Sequence, residues 1–331
     1  MRFSLIVCTY MRPQALLTLL KSVNEQSLYP DYILIIDGST NNDTKTILEE
    51  NPFKNLRYYK VDDSQRGLTK QRNFGINQVE DAIDVVCFLD DDIVLEPDYF
   101  KQLLSTYTIY PNALAVGGYI TNEVQWEVSD RKHRTDKFYF DGYMRNEPSR
   151  FKLRKLFGLL PDVAPGYMPI FSHGRSVSFL PPSGKTYQVE QIMGGVSSYK
   201  KEIFKTHTFS DYFVGYGLYE DADFSLRIAK KGDLYINTNA RLAHYHDASG
   251  RPNQFKYGKM VLRNGWYVWR VKYQNPSLKA RFKFNATSFL LTLIRMSNVI
   301  TTKDKQKALT ESLGRVVGWF SIIFNPPKVN R

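Results

Sequence analysis

Short apolar runs alternate with amphipathic stretches through the first 120 residues of the chain. The apolar runs are rich in Val, Ile, Leu and aromatic residues, as buried strands are, and the stretches between them repeat apolar residues at helical spacing. The predicted strands are residues 3–8, 32–36, 55–61, 85–89 and 113–120, and the predicted helices begin at Pro13 and cover residues 69–79 and 97–107. This alternation predicts an α/β fold with a mostly parallel sheet, helices on both faces, and ligands bound beyond the carboxyl ends of the strands.

The pattern changes after residue 120. Residues 121–187 are rich in Arg, Lys, Pro and aromatic residues and show no regular periodicity, which favours a functional lid or a binding insertion. A disordered linker is the alternative, although aromatic residues are more frequent there than in typical disorder. A helix is predicted over residues 220–231, ending at Gly232, and a strand-like run then leads to His244 and His246.

Basic residues interleave with large apolar ones near the end of the chain. Residues 251–331 contain sixteen Lys and Arg against Asp304 and Glu311, whereas residues 1–250 contain 29 basic and 31 acidic residues. The apolar runs are too short and too charged to span a bilayer, so they predict amphipathic helices. Such helices suit an anionic membrane surface, but they would equally pack on the catalytic domain or on a second subunit, which leaves a homo-oligomer open.

The composition bounds the fold and the compartment. A chain of 331 residues with 43% apolar content is long enough for one large domain plus an appendage. Cys8 and Cys87 both lie in strand-like runs without metal-ligand spacing, which indicates buried thiols in a reducing compartment. The first residues show no signal-peptide pattern, so the expected location is the cytoplasm.

Three consecutive carboxylates follow the fourth predicted strand. Asp90, Asp91 and Asp92 come directly after the apolar run at residues 85–89, so negative charge is concentrated at the end of a buried element. A hard divalent cation with oxygen ligands, Mg²⁺ or Mn²⁺, would relieve their repulsion and could also hold a diphosphate. The alternative is a solvated acidic turn before a helix.

An ordered set of segments resembles the family 2 glycosyltransferases, which have the GT-A fold. The segments occur in the family's order and spacing over about residues 3–246. They are Ile6-Val7-Cys8-Thr9-Tyr10-Met11-Arg12, Ile36-Asp37-Gly38-Ser39-Thr40, Gly67-Leu68-Thr69-Lys70-Gln71-Arg72-Asn73-Phe74-Gly75, Phe88-Leu89-Asp90-Asp91-Asp92, Gly194-Gly195 and Tyr219-Glu220-Asp221-Ala222-Asp223.

The resemblance implies a nucleotide-binding half over residues 1–120 and an acceptor and sugar-binding half over residues 121–250, followed by the basic helical region 251–331. It places one set of residues at the base, ribose, phosphates or sugar of a nucleotide-sugar donor. Alternatives exist for some of these residues. Asp37 could simply form a turn, Arg72 and Asn73 could lie on a solvated helix face, and the glycine pair could be a simple turn. The donor-site set is Thr9, Tyr10, Arg12, Asp37, Arg72, Asn73, Asp90, Asp91, Gly194 and Gly195.

The same resemblance assigns the metal ligands. Asp90 and Asp92 correspond to the family's Asp-x-Asp motif, with Asp91 at its variable position. His244 lies where many such enzymes have a late histidine that reaches the metal or the diphosphate, although a lone histidine is often only structural. Arg251 could meet the diphosphate, with a plain turn as its alternative.

Asp221 corresponds to the family's catalytic base, with Glu220 and Asp223 as nearby acids on the acceptor side. A helix N-terminus lowers the pKa of a carboxylate, so the basicity of Asp221 must come from desolvation or from a neighbouring acid such as Glu220. The alternative is that all three acids stabilise the start of the helix.

The resulting hypothesis is a hexosyltransferase-type enzyme. It would be inverting and metal-dependent, and would transfer one sugar, expected from a UDP-sugar, to a glycan or lipid-linked glycan in bacterial-type surface polysaccharide assembly. It would lie peripherally on the inner face of the plasma membrane. A sugar-nucleotide pyrophosphorylase and a non-catalytic nucleotide-sugar binding protein are the alternatives, and nucleic acid is disfavoured because the acidic cluster would repel its backbone.

Overall fold

A computed structural model describes residues 1–130, 134–246 and 252–329 of the chain. The strands are β1 (Phe3–Thr9), β2 (Tyr32–Asp37), β3 (Leu56–Lys60), β4 (Val85–Asp90), β5 (Ile93–Leu95), β6 (Ala113–Ile120), β7 (Glu127–Val128), β8 (Lys137–Phe140), β9 (Tyr143–Asn146), β10 (Thr186–Val189), β11 (Val196–Lys200) and β12 (Asp233–His244). The α-helices are α1 (Pro13–Asn24), α2 (Asp43–Glu50), α3 (Leu68–Ile76), α4 (Tyr99–Ile109), α5 (Ser149–Leu156), α6 (Glu220–Ile228), α7 (Gln254–Lys272), α8 (Leu278–Thr301) and α9 (Lys305–Phe324).

Nine strands form a large mixed sheet in the order β10-β12-β6-β11-β4-β1-β2-β3, with β5 paired to β12. β1 is parallel to β2 and β4, β2 is parallel to β3, and β6 is parallel to β12. β11 is antiparallel to both of its neighbours, β4 and β6, so β6 runs in the direction of β4. Six of the nine strands therefore share one direction, which confirms the predicted mostly parallel sheet.

Helices cover the sheet on both faces because side chains alternate along each strand. Leu5 and Val7 of β1 belong to the core that includes Leu16 of α1 and Phe100 of α4. Ile6 points to the opposite face, where a Cβ at Gly75 of α3 would lie 2.9 Å from its side chain. The glycine therefore lets α3 pack closely on β1.

The sequence does not predict the strand β11, because two of its buried residues are polar. Ser197 and Ser198 are buried although serine does not signal a buried strand. Ser198 Oγ donates to the carbonyl of Val116 at 2.8 Å and lies 2.9 Å from the hydroxyl of Tyr107, so its hydroxyl is satisfied inside the sheet.

The contacts divide the chain into two units. One comprises Met1–Gln125 with Leu180–Arg251, and the other comprises Trp126–Phe179 with Pro252–Arg331. One limit between the units falls near residue 250. The grouping of Trp126–Phe179 with the C-terminal helices was not expected from the sequence, which placed those residues in the acceptor half.

The second unit combines a small antiparallel sheet with helices. Its sheet has the order β7-β9-β8, within the stretch that showed no periodicity. Trp269 of α7 donates its indole N–H to the carbonyl of Ile170 at 2.9 Å and stacks on Phe284 of α8 at 4.4 Å, which joins the two segments of this unit. The predicted C-terminal helices are confirmed. Among the described helices, none combines the length and apolarity needed to cross a bilayer.

Candidate active site

The carboxyl ends of β1 and β4 bring Thr9, Arg12 and Asp91 together. Cys8 pairs with Asp90 across the two strands, so the next residues along each strand are neighbours. Thr9 Oγ1 donates to Asp91 Oδ2 at 2.7 Å, and Arg12 Nη1 donates to Asp91 Oδ1 at 3.1 Å. Burial raises the pKa of Asp91 to about 6. Asp91 thus braces the ends of the two strands with both of its oxygens.

Asp90, Asp92 and His244 form a set of potential metal ligands. Tyr245 N donates to the carbonyl of Asp92 at 2.9 Å, and this pairing of β12 with the start of β5 places His244 Nε2 3.1 Å from Asp92 Oδ1. One ligand atom from each of the three residues lies within 4.8 Å of the others. Two carboxylates and an imidazole fit a hard divalent cation such as Mg²⁺ or Mn²⁺, with the oxygens as the preferred ligands.

Glu123 holds the other side of the His244 ring. Its Oε1 lies 3.2 Å from His244 Nδ1 and 2.8 Å from His246 Nε2. Burial opposes protonation, but Asp92 and Glu123 outweigh it and raise the pKa of His244 to about 10. A carboxylate at Nδ1 orients the ring so that Nε2 faces Asp92, an arrangement common for metal-ligating histidines. Sequence reasoning missed Glu123, whose only signal was its place just after the strand at residues 113–120.

A buried guanidinium links α3 to α6. Arg72 forms an ion pair with Glu220 Oε1 and its Nη2 lies 3.7 Å from Asp90 Oδ1. Burial raises the pKa of Glu220 to about 8, against the opposing effect of Arg72. Among the described residues, no hydrogen-bond partner reaches Glu220 Oε2. The arginine therefore sits between the metal-side carboxylate and the acid at the start of α6.

Gly194 and Gly195 let this cluster approach the backbone. A Cβ at Gly194 would lie 2.6 Å from both Arg72 Nη1 and Glu220 Oε1, and a Cβ at Gly195 would lie 2.0 Å from Asp90 Oδ2. Real Cβ atoms do not come so close to other heavy atoms. The glycine pair is therefore approached closely by three charged side chains of the protein itself.

The acids of α6 have separate surroundings. Asp221 Oδ2 accepts a hydrogen bond from Gly194 N at 3.2 Å, which joins it to the glycine pair. Its Oδ1 accepts from Ala222 N at 2.8 Å, so it also contributes to the helix start. Asp223 is buried and instead binds Arg227 Nη2 at 2.8 Å along the same helix. Asp223 therefore serves the packing of α6, and its carboxylate is not brought to the glycine pair as that of Asp221 is.

Asp37 and Tyr10 lie at the carboxyl ends of β2 and β1. Asp37 is fully buried; its Oδ1 accepts from Ser39 N and its Oδ2 accepts from Tyr58 Oη, both at 2.8 Å. Tyr10 is 40% exposed, and the Arg66 guanidinium lies 5.9 Å from its ring centre. An exposed aromatic ring beside a cation offers a stacking surface for a base. Sequence reasoning missed Tyr58 and Arg66, which carry no motif signal of their own.

Asn73, which was named from the sequence, is not placed with this cluster. Asn73 Nδ2 donates to the carbonyl of Phe209 and its Oδ1 accepts from Phe209 N, both at 2.9 Å. Its amide therefore holds the loop before α6. Arg251 lies outside the described residues.

Comparison with known proteins identifies the fold and the family. A model described as glycosyl transferase family 2 matches residues 4–173, and a model described as the N-terminal domain of galactosyltransferase matches residues 174–248. A glucosyl-dolichyl phosphate glucuronosyltransferase of Haloferax volcanii is 27% identical over 143 residues, which are 42% of this chain and 44% of that protein. The O-antigen chain rhamnosyltransferase RfbN of Salmonella typhimurium is 28% identical over 105 residues, which are 31% of this chain and 32% of that protein. The matches thus span less than half of these relatives.

Two solved structures show the same fold at low identity. GalNAc-T7 with UDP, GalNAc and Mn²⁺ has a TM-score of 0.56 at 14% identity, covering 87% of this chain and 54% of that chain. S. aureus TarS 1–349 in complex with UDP has a TM-score of 0.50 at 16% identity, covering 94% and 80%. The predicted GT-A fold is confirmed. The glycosyl transferase family 2 model alone covers more than half of the 331 residues of this chain, and the chain therefore belongs to that family.

Proposed function

We propose that this chain is an inverting, metal-dependent glycosyltransferase that moves one sugar from a UDP-sugar to a glycan or lipid-linked glycan. The observation that carries the proposal is the arrangement around the glycine pair. Gly195 lies so close to the carboxylate of Asp90, a candidate metal ligand, that a Cβ would overlap it. Gly194 N donates a hydrogen bond to Asp221, the candidate base. Adjacent residues of one segment therefore contact a candidate metal ligand and the candidate base, the two kinds of acid that a metal-assisted displacement with a general base uses.

The donor side is assigned to the ends of β1, β2 and β4. Asp90, Asp92 and His244 would hold Mg²⁺ or Mn²⁺, which as a Lewis acid would stabilise charge on the departing diphosphate. Thr9 and Asp37 would border the base, Tyr10 would stack on it, and Arg12 would face the phosphates. The UDP in TarS and the UDP and Mn²⁺ in GalNAc-T7 support UDP as the nucleotide and a divalent ion as the cofactor.

The acceptor side is assigned to the start of α6. Asp221 would accept the proton of the attacking hydroxyl, since Gly194 N holds its carboxylate beside the glycine pair. Arg72 and Glu220 would position it: their buried ion pair fixes the first turn of α6 against α3. A base separate from the metal ligands is the arrangement of a single displacement, which inverts the anomeric centre.

The acceptor and the location belong to the same proposal. Residues 1–120 would bind the nucleotide, and residues 121–250 would bind sugar and acceptor, in surface polysaccharide assembly. One relative's name contains a dolichyl phosphate-linked sugar and another's an O-antigen chain, which supports a lipid-linked or polysaccharide acceptor. The basic region 251–331 would hold the enzyme at the cytoplasmic face of an anionic membrane.

The test compares Asp92→Asn with Asp221→Asn. Asp92→Asn should weaken Mn²⁺-dependent UDP binding in calorimetry about as much as EDTA does, because a ligand carboxylate is lost. Asp221→Asn should keep UDP-sugar binding but lower transfer by about 10²–10⁴-fold, the usual loss for a general base.

The exposed Asp81, which pairs with Lys201 on the surface, provides the matched control Asp81→Asn. This variant should behave as wild type in both assays. Near-normal transfer by Asp221→Asn would remove Asp221 as the base and leave Glu220 as the next candidate. If UDP binding survived both EDTA and Asp92→Asn, the proposed role of a metal in UDP binding would be excluded. Sugar-nucleotide binding without transfer or hydrolysis would indicate a binding protein.

A further inference from the structure

The hairpin formed by α8 and α9 carries many of its large apolar side chains on the outside. On α8, Phe282 is 72% exposed and Ile300 is 84% exposed, and on α9, Phe320 and Phe324 are 49% and 82% exposed. Phe289 and Leu293 of α8 are also exposed, and together with Phe282 and Ile300 they follow the spacing of one helix face. Exposed apolar residues on one face of a helix indicate an interaction surface.

The buried positions of the same helices are mostly small or polar, apart from Phe284 of α8, which stacks on Trp269. The buried positions of α8 include Ala280, Thr287 and Ser288, and those of α9 include Ala308 and Ser312. This distribution reverses the usual one, in which large apolar residues are buried and small polar ones are exposed. Helices surrounded by lipid pack in this reversed way, through small residues with large apolar ones outside.

Glycines make the small inner face of α9 a close contact. A Cβ at Gly314 would lie 2.1 Å from the carbonyl oxygen of Phe255, and a Cβ at Gly318 would lie 2.9 Å from that of Lys259, both in α7. The inner face of α9 is therefore already filled by α7. The outward apolar residues have no place in this packing, so they are available to another surface.

The two outer faces lie next to each other. Trp319 Nε1 of α9 donates to Asn285 Oδ1 of α8 at 2.7 Å, and the rings of Phe289 and Trp319 are 6.4 Å apart. Arg295 near the end of α8 binds Glu311 near the start of α9 at 2.7 Å, so the helices run antiparallel. Phe289 and Phe320 thus belong to one continuous apolar surface, the α8–α9 face.

The charges around this face are almost all positive. Glu311 is buried and bound by Arg295 and Arg315, and Asp304 lies 3.4 Å from Lys307 in the turn between the helices. Exposed basic residues flank the face at both ends: Lys279, Arg281, Lys303, Lys305 and Lys307. A second copy of the chain placed on this face would bring like charges together, whereas anionic lipid headgroups would be complementary to them.

We propose that the α8–α9 face inserts into the interface of a bilayer with anionic headgroups, its aromatic and aliphatic side chains among the acyl chains and its lysines at the headgroups. The inference rests on the membrane attachment in the proposed function, which it deepens, and does not depend on the proposed sugar transfer. It also goes beyond electrostatic attachment: screening by salt would weaken the first encounter, but insertion of apolar side chains would keep bound protein on the membrane.

The test is flotation of the full chain with liposomes of phosphatidylcholine alone and with added phosphatidylglycerol. Wild type should float with the anionic vesicles and should stay on them when salt is raised after binding. The double variant Phe282→Glu with Phe320→Glu should lose roughly tenfold or more of the recovery, because charge is placed at the inserted positions. Ile109→Glu, at a 66% exposed apolar residue of α4, is the matched control and should float as wild type.

Further measurements separate the outcomes. UDP binding by the double variant should be unchanged, which separates a failure of this inference from a failure of the proposed function. A blue shift of tryptophan fluorescence on anionic vesicles that is lost in Trp319→Phe would support insertion without any change to the face. Equal flotation of wild type and double variant, or loss of wild type at high salt after binding, would overturn the insertion. So would a dimer in sedimentation that the double variant dissociates, because a second copy would then cover the face.

Discussion

Gly195 shows how one missing side chain can organise a site. The Asp90 carboxylate lies closer to the Gly195 backbone than any Cβ would permit. The carbonyl of Gly195 also accepts a hydrogen bond from Asp90 N at 3.0 Å. Gly194 likewise leaves room for the side chains of Arg72 and Glu220 beside its backbone. The glycine pair thus sets the positions of charged groups on both sides of the proposed reaction centre.

Gly195→Ala should therefore displace Asp90. The added Cβ would stand 2.0 Å from Asp90 Oδ2, so the carboxylate must move by an ångström or more. A misplacement of that size can cost about 10²-fold in rate, and we expect that loss in sugar transfer together with weaker Mn²⁺-dependent UDP binding by calorimetry.

Gly158→Ala is the control for this prediction. No atom lies within 4 Å of a Cβ there, and its φ of 64° adds only backbone strain. It should lower thermal stability slightly and leave UDP binding as in wild type. A Gly195→Ala enzyme with normal transfer would show that Asp90 can move without consequence.

The three neighbouring aspartates also differ at the residue scale. Asp91 is bound by Thr9 and Arg12, Asp92 faces His244, and Asp90 faces Arg72. Each carboxylate is therefore held by protein partners, and Arg12 Nη1 also lies 3.5 Å from Asp92 Oδ2. Of the three aspartates, Asp90 and Asp92 are grouped with His244 as potential metal ligands among the described residues.

At the scale of the elements, the two faces of α9 differ: one packs against α7 and the other is exposed. Its glycines permit close packing on α7, while the residues just before them, Leu313 and Val317, are exposed. Gly314 and Leu313 are adjacent in sequence, yet one is buried against Phe255 and the other is 47% exposed.

The pair allows a matched test of packing. Gly314→Ala should destabilise the fold by about 1–3 kcal/mol, because its Cβ would overlap the backbone of α7 and overpacking costs that much. Leu313→Ala should change the free energy of unfolding by less than about 0.5 kcal/mol, as surface substitutions usually do. Urea denaturation followed by circular dichroism measures both. A Gly314→Ala protein as stable as Leu313→Ala would mean that α7 and α9 adjust their distance freely.

At the scale of the whole molecule, one compact unit is assembled from distant parts of the chain. Trp126–Phe179 and Pro252–Arg331 form it together. Within it, Phe284 of α8 stacks on Trp269 and lies 5.2 Å from the ring of His173, and His173 Nε2 lies 3.0 Å from Ser288 Oγ. The C-terminal helices therefore cover apolar surface of the earlier segment.

A chain ending at residue 251 should not behave as a stable catalytic domain. It would expose the surface that α7 and α8 bury, so we expect stronger binding of a hydrophobic dye and aggregation in light scattering. A chain ending at residue 325, which keeps α7–α9 intact, is the control and should match wild type in both. If the shorter chain were monomeric and bound the dye no better than the control, Trp126–Phe179 would fold without the C-terminal helices.

The sequence alone determined the elements whose signal is local. Apolar periodicity located β1, β2, β4 and β6, and β6 has the predicted bounds, Ala113–Ile120. It also placed acids at strand ends, because a buried strand followed by carboxylates is visible in a few consecutive residues. The ordered motifs then identified the family.

Only the tertiary structure decided which side chains meet. Arg72 and Glu220 are 148 residues apart, and Asp92 and His244 are 152 apart, so no local pattern reports their contacts. The buried serines of β11, the role of Glu123 beside His244 and the joining of Trp126–Phe179 to the C-terminal helices were hidden for the same reason. Each depends on the free energy of bringing distant segments together, and that free energy is decided by complementary packing and charge rather than by the residues next in the chain.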